Sequence, residues 1–376
     1  MIVAIDVEPL SIPLREPFVI ATGRMDATRA ALVRVTLEDP GGARATGLGE
    51  AAALPPVTRE DQPELLAQIR AAGLLLQGAV IDGVDVPAVL DRAASLGRVA
   101  RAGVEAAILD ARARFAGVPL YQSIGSPGVT ATDLQTDITL PISDPERMSA
   151  TARGHRRAGF TTFKVKVGRD WQADLASLRA VAAAVADARF RLDANAGFAA
   201  RDALALLDAA LAAGLTVECY EQPCAADDLA GMAEVAAHSA VPVVADESFR
   251  GPADLDRIVG ERAAQGVNLK LGKLGGPLAA LALGRRARAL GLRLMAGAMV
   301  ETRVGLLAMA HVVAALGGVD WVDLDTAFLL ADDPFEGGWT CDGPRIRLTG
   351  DPGLGVGVRA APLPDPLPAS RGEGDK

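Results

Sequence analysis

Apolar and polar positions follow two different rhythms along this chain. Residues 1–52 read as strands: IVAIDVEPL alternates loosely and AALVRVTLED (30–39) alternates well. A Pro40-Gly41-Gly42 turn then leads into a return strand ending in GLGEA, and Pro55-Pro56 marks a loop. Helical spacing follows over roughly 59–79, 86–95 and 98–116, the last segment being rich in alanine. A strand-rich start followed by a run of helices predicts a separate α+β domain over residues 1–120.

From about residue 133 the pattern becomes a regular alternation. Strand-like runs near 135–140, 161–167, 189–194, 215–221, 241–246, 266–271, 292–297 and 319–325 are separated mostly by Ala/Leu-rich helical segments. Eight such units predict a parallel βα barrel over 121–326, its last unit lacking a regular helix. The chain turns irregular after Asp325, and 327–376 is expected to return to the first domain before a tail, PLPDPLPASRGEGDK, composed like a frayed end.

Charged residues recur at the ends of these apolar runs. Lys166, Asp193, Glu221, Asp246 and Lys270 follow one another at intervals of 27, 28, 25 and 24 residues. Each interval holds about one strand, one helix and two loops, so all five occupy the same rim of the barrel, where such folds build active sites. Asp193, Glu221 and Asp246 offer hard oxygen ligands on neighbouring strand ends, which suits Mg²⁺ better than zinc. Any one of them could instead cap the following helix, as LDAN and ADES allow. Lys164 and Lys166 lie two apart and share a strand face. Crowding and burial of two ammonium groups should let one act as a base near neutral pH. Lys270, four units further round, would stand opposite, and two lysines flanking a metal-bound substrate could remove and return a proton on opposite faces.

Bulk properties narrow the partners. A net charge of −9 argues against nucleic acid or an anionic membrane. The basic clusters at 153–157 and 285–288 read as solvated helix faces. No apolar run reaches the ~18 residues of a membrane helix, the run from Val304 reading as a buried barrel helix. The N-terminal stretch, broken by Asp6 and Glu8, does not resemble a signal peptide. Cys219, Cys224 and Cys341 are an odd set without metal-ligand spacing, which fits a reduced cytoplasmic protein.

FKVKVG, LDANAGF, EQP, ADES and NLKLGKLGG, with GEA at 49–51 and AAILDARARFAGVPLYQSIG, resemble the enolase superfamily and its muconate-lactonizing branch. The likeness runs over nearly the whole chain. It implies a modified (β/α)7β TIM barrel under an α+β capping domain, the C-terminal segment completing the cap. It further implies Mg²⁺ on Asp193, Glu221 and Asp246, with Lys166 and Lys270 as acid/base catalysts and Lys164 as their electrostatic helper. Asn195 would face the metal or the substrate, Lys273 would be structural, and a homo-oligomer is expected.

Within that branch two features discriminate. His155, His238 and His311 all fall in helical segments, leaving no late histidine base of the mandelate-racemase kind. The eighth strand ends in Asp323 and Asp325, which resemble the Asp-x-Asp of dipeptide epimerases, where the pair holds the substrate's α-ammonium group. The favoured activity is therefore Mg²⁺-dependent inversion at the C-terminal residue of a dipeptide by two-base proton transfer. The alternatives are N-succinylamino-acid racemase or o-succinylbenzoate synthase, then muconate cycloisomerase, and last a metal-binding barrel without catalysis. Ala298 and Met299, within MAGAMVETR (295–303), would line the pocket, along with the second capping loop, AALPPVTRED. Arg24 in IATGRMD would read an acidic substrate side chain, as in Ala-Glu epimerases, although an ungapped match sets it one position late. Asp26 could equally favour a basic one.

Overall fold

The computed structural model describes residues 1–21, 23–55, 57–81 and 85–359, so Pro56 and the 362–376 tail lie outside the described residues. Three antiparallel strands, Ile2–Leu10, Arg29–Glu38 and Arg44–Ala53, form the capping sheet in that order. A separate hairpin joins Pro13–Ile20 to Gly23–Ala27, so the segment around Arg24 is a strand pair rather than an open loop. Helices Gln62–Leu76, Val86–Leu90 and Arg98–Ala116 follow close to the predicted positions. The long third helix sits against the return strand at backbone-contact distance. A Cβ on Gly49 would collide with the carbonyl of Gly103, and one on Gly47 with that of Ala107.

The barrel strands are Ile138–Leu140, Thr162–Lys166, Arg189–Asp193, Thr216–Glu221, Val243–Ala245, Gly266–Leu269, Arg293–Ala296 and Trp321–Val322. Every adjacent pair is parallel and runs in sequence order. A parallel bridge between Thr136 and Val322 closes the ring. Inside it Arg191 Nη1 donates to Asp137 Oδ2 and to the Val322 carbonyl, each at 2.8 Å. After the eighth strand only Thr326–Leu329 is helical among the described residues, as the sequence pattern predicts.

Two details depart from the sequence expectation. The 135–140 run divides: Asp133–Gln135 pairs antiparallel with Arg345–Leu348, and only Ile138–Leu140 enters the barrel. The C-terminal segment accordingly contacts both parts of the molecule. Its strand Arg345–Leu348 extends the barrel side, while Leu354 N donates to Asp110 Oδ1 (2.6 Å) and Arg114 Nη2 to the Val356 carbonyl (2.7 Å) on the long capping helix. No helix among the described residues is long and apolar enough to cross a membrane; Arg303–Leu316, the apolar candidate, is buried in the fold.

Candidate active site

The ends of the second to sixth and eighth strands bring Lys164, Lys166, Asp193, Glu221, Asp246, Lys270, Asp323 and Asp325 together, all buried. None of Asp193, Glu221 and Asp246 caps a helix. The helices after Asp193 and Asp246 begin at Ala200 and Pro252, with Ala199 and Gly251 at their N-caps. The carboxylates are thus free for other work.

Lys164 is the hub. Its Nζ donates to Asp323 Oδ2 at 2.6 Å and lies 3.0 Å from Asp193 Oδ2 and 2.8 Å from Glu221 Oε2. Lys166 Nζ donates to the same Asp193 Oδ2 (2.7 Å) and Lys270 Nζ to Asp246 Oδ2 (2.8 Å). These contacts correct one expectation. Burial alone would lower the Lys164 pKa, but Asp323, Glu221 and Asp193 outweigh it and hold the group well above its ordinary value. Burial opposes Asp246 in the same way at Lys270, which is also raised. At Lys164 and Lys270, opposite charge dominates over lysine crowding.

Two of the partners, Asn268 and Gln222, carry no individual signal in the sequence. Asn268 Nδ2 donates to Glu221 Oε1 (2.7 Å), leaving Oε2 without a hydrogen bond despite its nearness to Lys164. Gln222 Oε1 accepts the backbone N–H of Asp246 (2.8 Å) and of Ser248 (3.1 Å), fixing the Asp246 turn. Lys273 donates to the Asp246 carboxylate, to the Asp246 carbonyl (2.6 Å) and to the Asn268 carbonyl (3.2 Å), a bracing geometry. Asn195, in the left-handed region (φ 42°), donates from its backbone to Asp193 Oδ1 (2.9 Å) and from Nδ2 to Glu247 Oε1 (3.1 Å).

Two acidic groups deserve comparison as cation sites. Among the described residues, Asp137, Asp323 and Asp325 bring one oxygen each within 4.8 Å of one another. Arg191 and Lys164 already neutralise Asp137 and Asp323, and Asp325 Oδ2 accepts the Thr139 N–H at 2.5 Å. Burial and Asp323 raise the Asp325 carboxyl to about 6. Asp193, Glu221 and Asp246 are paired in the same way, with Lys164, Lys166, Lys270 and Lys273. Both sets offer only carboxylate oxygens, the chemistry a hard divalent ion takes, and each leaves some without a hydrogen bond, Asp137 Oδ1 and Asp325 Oδ1 in one and Glu221 Oε2 in the other.

Phe18, Ile20, Leu54, Val57, Met299 and Val300 close the cavity over the charged groups. The Phe18 ring stands 5.7 Å from Lys166 Nζ. Ala298 and Met299 line it as expected. Arg24 does not. It pairs in register with Val19, one residue out of phase with the inward Phe18 and Ile20, and so faces the other side of the hairpin. There it is exposed and salt-bridged to Asp26 at 2.8 Å. The three histidines lie in helices, away from the lysines.

The capping domain reaches the seventh strand's loop through Glu50 of the GEA motif. Its carboxylate accepts Thr302 Oγ1 (2.6 Å), Thr302 N (3.1 Å) and Gly305 N (3.0 Å), holding the start of the following helix. Glu301, in that same loop, accepts the Met299 N–H at 3.0 Å.

Comparison with known proteins agrees with this architecture. Residues 2–125 match the mandelate racemase / muconate lactonizing enzyme N-terminal domain, and residues 147–361 the enolase C-terminal domain-like family. An aromatic dipeptide epimerase from Herpetosiphon aurantiacus is 38% identical over 94% of this chain and 98% of its own. A substrate-liganded L-Ala-D/L-Glu epimerase from Bacillus subtilis superposes with a TM-score of 0.88 at 33% identity, over 94% of this chain and 98% of that one. A dipeptide epimerase from Enterococcus faecalis, complexed with Mg and L-Leu-L-Tyr, gives 0.87 at 31% identity, over 94% and 99% of the two chains. This chain belongs to the mandelate racemase / muconate lactonizing enzyme family, with the enolase-type barrel that its two matched domains define.

Proposed function

We propose that this protein is a Mg²⁺-dependent dipeptide epimerase that inverts the α-carbon of the C-terminal residue. The observation that carries this reading is the paired carboxylate of Asp323 and Asp325 on the rim beside two lysine-bearing strands, a site for a free α-ammonium group. An N-acyl amino acid has no such cation. Relatives named as dipeptide epimerases, one with Mg and a dipeptide bound, support it.

Asp193, Glu221 and Asp246 would hold the ion. Bound there, Mg²⁺ supplies positive charge at the substrate carboxylate as the α-proton leaves. Whichever of Lys166 and Lys270 is neutral takes that proton on its Nζ from one face, the other as an ammonium delivers a proton to the opposite face, and Lys164 adds fixed positive charge between Asp193 and Glu221. Asn195, Ala298 and Met299 shape the cavity, and its apolar roof of Phe18, Ile20 and Leu54 favours an uncharged side chain at the inverted centre. Arg24, facing away beside Asp26, speaks against Ala-Glu as the preferred dipeptide. The homo-oligomer and cytoplasmic setting suggested by the sequence belong to the same reading, with Cys219, Cys224 and Cys341 free thiols.

The test is solvent deuterium exchange. Incubation with Mg²⁺ and pooled dipeptides in D₂O should add one deuteron per molecule, and Lys166→Ala and Lys270→Ala should each stop epimerisation. Exchange confined to N-succinyl or N-acyl amino acids would reject the role given to Asp323 and Asp325.

A further inference from the structure

Closure of the barrel brings its first and eighth strands together, and with them three acids. Asp137 N donates to the Val322 carbonyl (3.2 Å) just before the first strand begins, while Asp323 and Asp325 follow the eighth. One carboxylate oxygen from each of Asp137, Asp323 and Asp325 lies within 4.8 Å of the others. Asp323 and Asp325 line the active cavity together with Thr139. Asp137, two residues earlier in the chain than Thr139, is fully buried and further from the rim.

Charge at this seam does not balance. Two cations serve the three acids, and each is shared. Arg191 Nη1 donates to Asp137 Oδ2 (2.8 Å), while its Nε donates to Glu218 Oε2 (2.9 Å). Lys164 meets Asp323 but also Asp193 and Glu221. Carboxylates crowded in this way repel one another, and the repulsion is relieved when one of them takes up a proton.

The hydrogen bonds indicate where that proton fits. Asp137 Oδ2 is held by Arg191, and Asp325 Oδ2 by the Thr139 N–H at 2.5 Å. Asp137 Oδ1 and Asp325 Oδ1 are left over, both buried and without a donor among the described residues. A single O–H would serve both, since a protonated carboxyl donates one hydrogen bond and a carboxylate accepts it. Asp137 is the better carrier. Burial, Asp323 and Asp325 push its carboxyl well above the ordinary range against Arg191 and Lys164, whereas Asp325 rises only to about 6.

We propose that Asp137 is a positioning residue whose carboxyl stays protonated at neutral pH and donates to Asp325, fixing that carboxylate for the substrate amine. A buried carboxylic acid held neutral so that it can donate is a recognised device in active sites. Here it leaves two negative charges at the site rather than three. Lys164 matches the one on Asp323, and the incoming ammonium matches the one on Asp325. The amine rests on the dipeptide-epimerase reading; the proton on Asp137 does not.

The experiment reads that proton without substrate. Infrared difference spectra of wild type minus Asp137→Asn at pH 7 should show the carbonyl band of a protonated carboxyl, shifted when aspartate carries ¹³C at its side-chain carboxyl. Carboxylate bands in its place overturn the proposal. Kinetics test the positioning. Asparagine can accept from Arg191 and donate to Asp325 as the protonated acid does, and alanine can do neither. Asp137→Ala should therefore raise KM for dipeptides about tenfold or more, and Asp137→Asn should recover most of that loss. An asparagine variant as impaired as the alanine one would make the negative charge the working feature and overturn the proposal. So would loss of Mg²⁺ binding in Asp137→Asn by calorimetry, which would give the two unbonded oxygens to an ion. If no dipeptide turns over, the amine reading falls, and the infrared band still decides whether Asp137 holds a proton.

Discussion

Lys164 on the second barrel strand donates to Asp323 at the end of the eighth, 2.6 Å away, tying together strands on two sides of the first. The same ammonium lies beside Asp193 and Glu221, so the carboxylates proposed for the metal and those proposed for the substrate amine share one cation. Asp323→Asn would remove a full charge from the proposed ammonium site while Lys164 keeps its other two neighbours. Losing one member of a buried charged pair costs about 2–5 kcal/mol, so kcat/KM for dipeptides should fall about 10²-fold or more, largely through KM. Steady-state kinetics check this, and an unchanged KM would count against the ammonium site.

Removal of divalent ions with EDTA should abolish deuterium exchange and added Mg²⁺ should restore it. Glu221→Gln replaces an oxygen that has no hydrogen bond in the fold with an amide. Calorimetric titration with Mg²⁺ should show at least roughly tenfold weaker binding in this variant, in keeping with the preference of hard cations for carboxylate oxygen. Equal affinities in variant and wild type would argue that the ion binds elsewhere.

Glu50 and Glu301 give the protein a pH-dependent stability. Burial and the neighbouring Glu301 raise Glu50 to about 8, and burial raises Glu301 to about 7. Both lie above the ordinary glutamate value of about 4.3, so the folded chain binds more protons than the unfolded one across that interval. Stability is then greatest at the acidic end of the window and falls as pH rises through about 7 to 8. Glu50→Gln should reduce that fall, on the order of 2 kcal/mol, while keeping an acceptor for Thr302. Urea unfolding at pH 6 and pH 9 measures the difference in slope.

Gly49→Ala should damage the cap rather than the chemistry. The added methyl group meets the backbone of Gly103, which cannot rotate away. Overpacking of this kind typically costs about 1–3 kcal/mol, so a lower thermal midpoint is expected. Differential scanning calorimetry of the variant would show it.

Much of the barrel was legible because its signal is periodic. Asp193, Glu221 and Asp246 each end an apolar run, and a strand-plus-helix interval maps them onto one rim whatever the loops do. Asn268 and Gln222 were not legible as site residues, since an amide acts here through the neighbouring strand's geometry and not through its own spacing. Glu50 stood out only as part of GEA, for its partner Thr302 is 252 positions away. At Arg24 the departure has a local reason: pairing with Val19 turns it away from the face of Phe18 and Ile20. The spacing of Lys164 and Lys166 implies a common strand face, but three carboxylates from other strands reverse the electrostatic balance at Lys164.

The hairpin Pro13–Ile20/Gly23–Ala27 roofs a cavity whose floor belongs wholly to the barrel. Part of recognition is therefore written apart from the reaction, in a different stretch of the gene. Changes within a short N-terminal stretch can retune which peptides are accepted without touching any lysine or acid of the floor. A lineage carrying this arrangement can diversify its diet while its chemistry stays fixed.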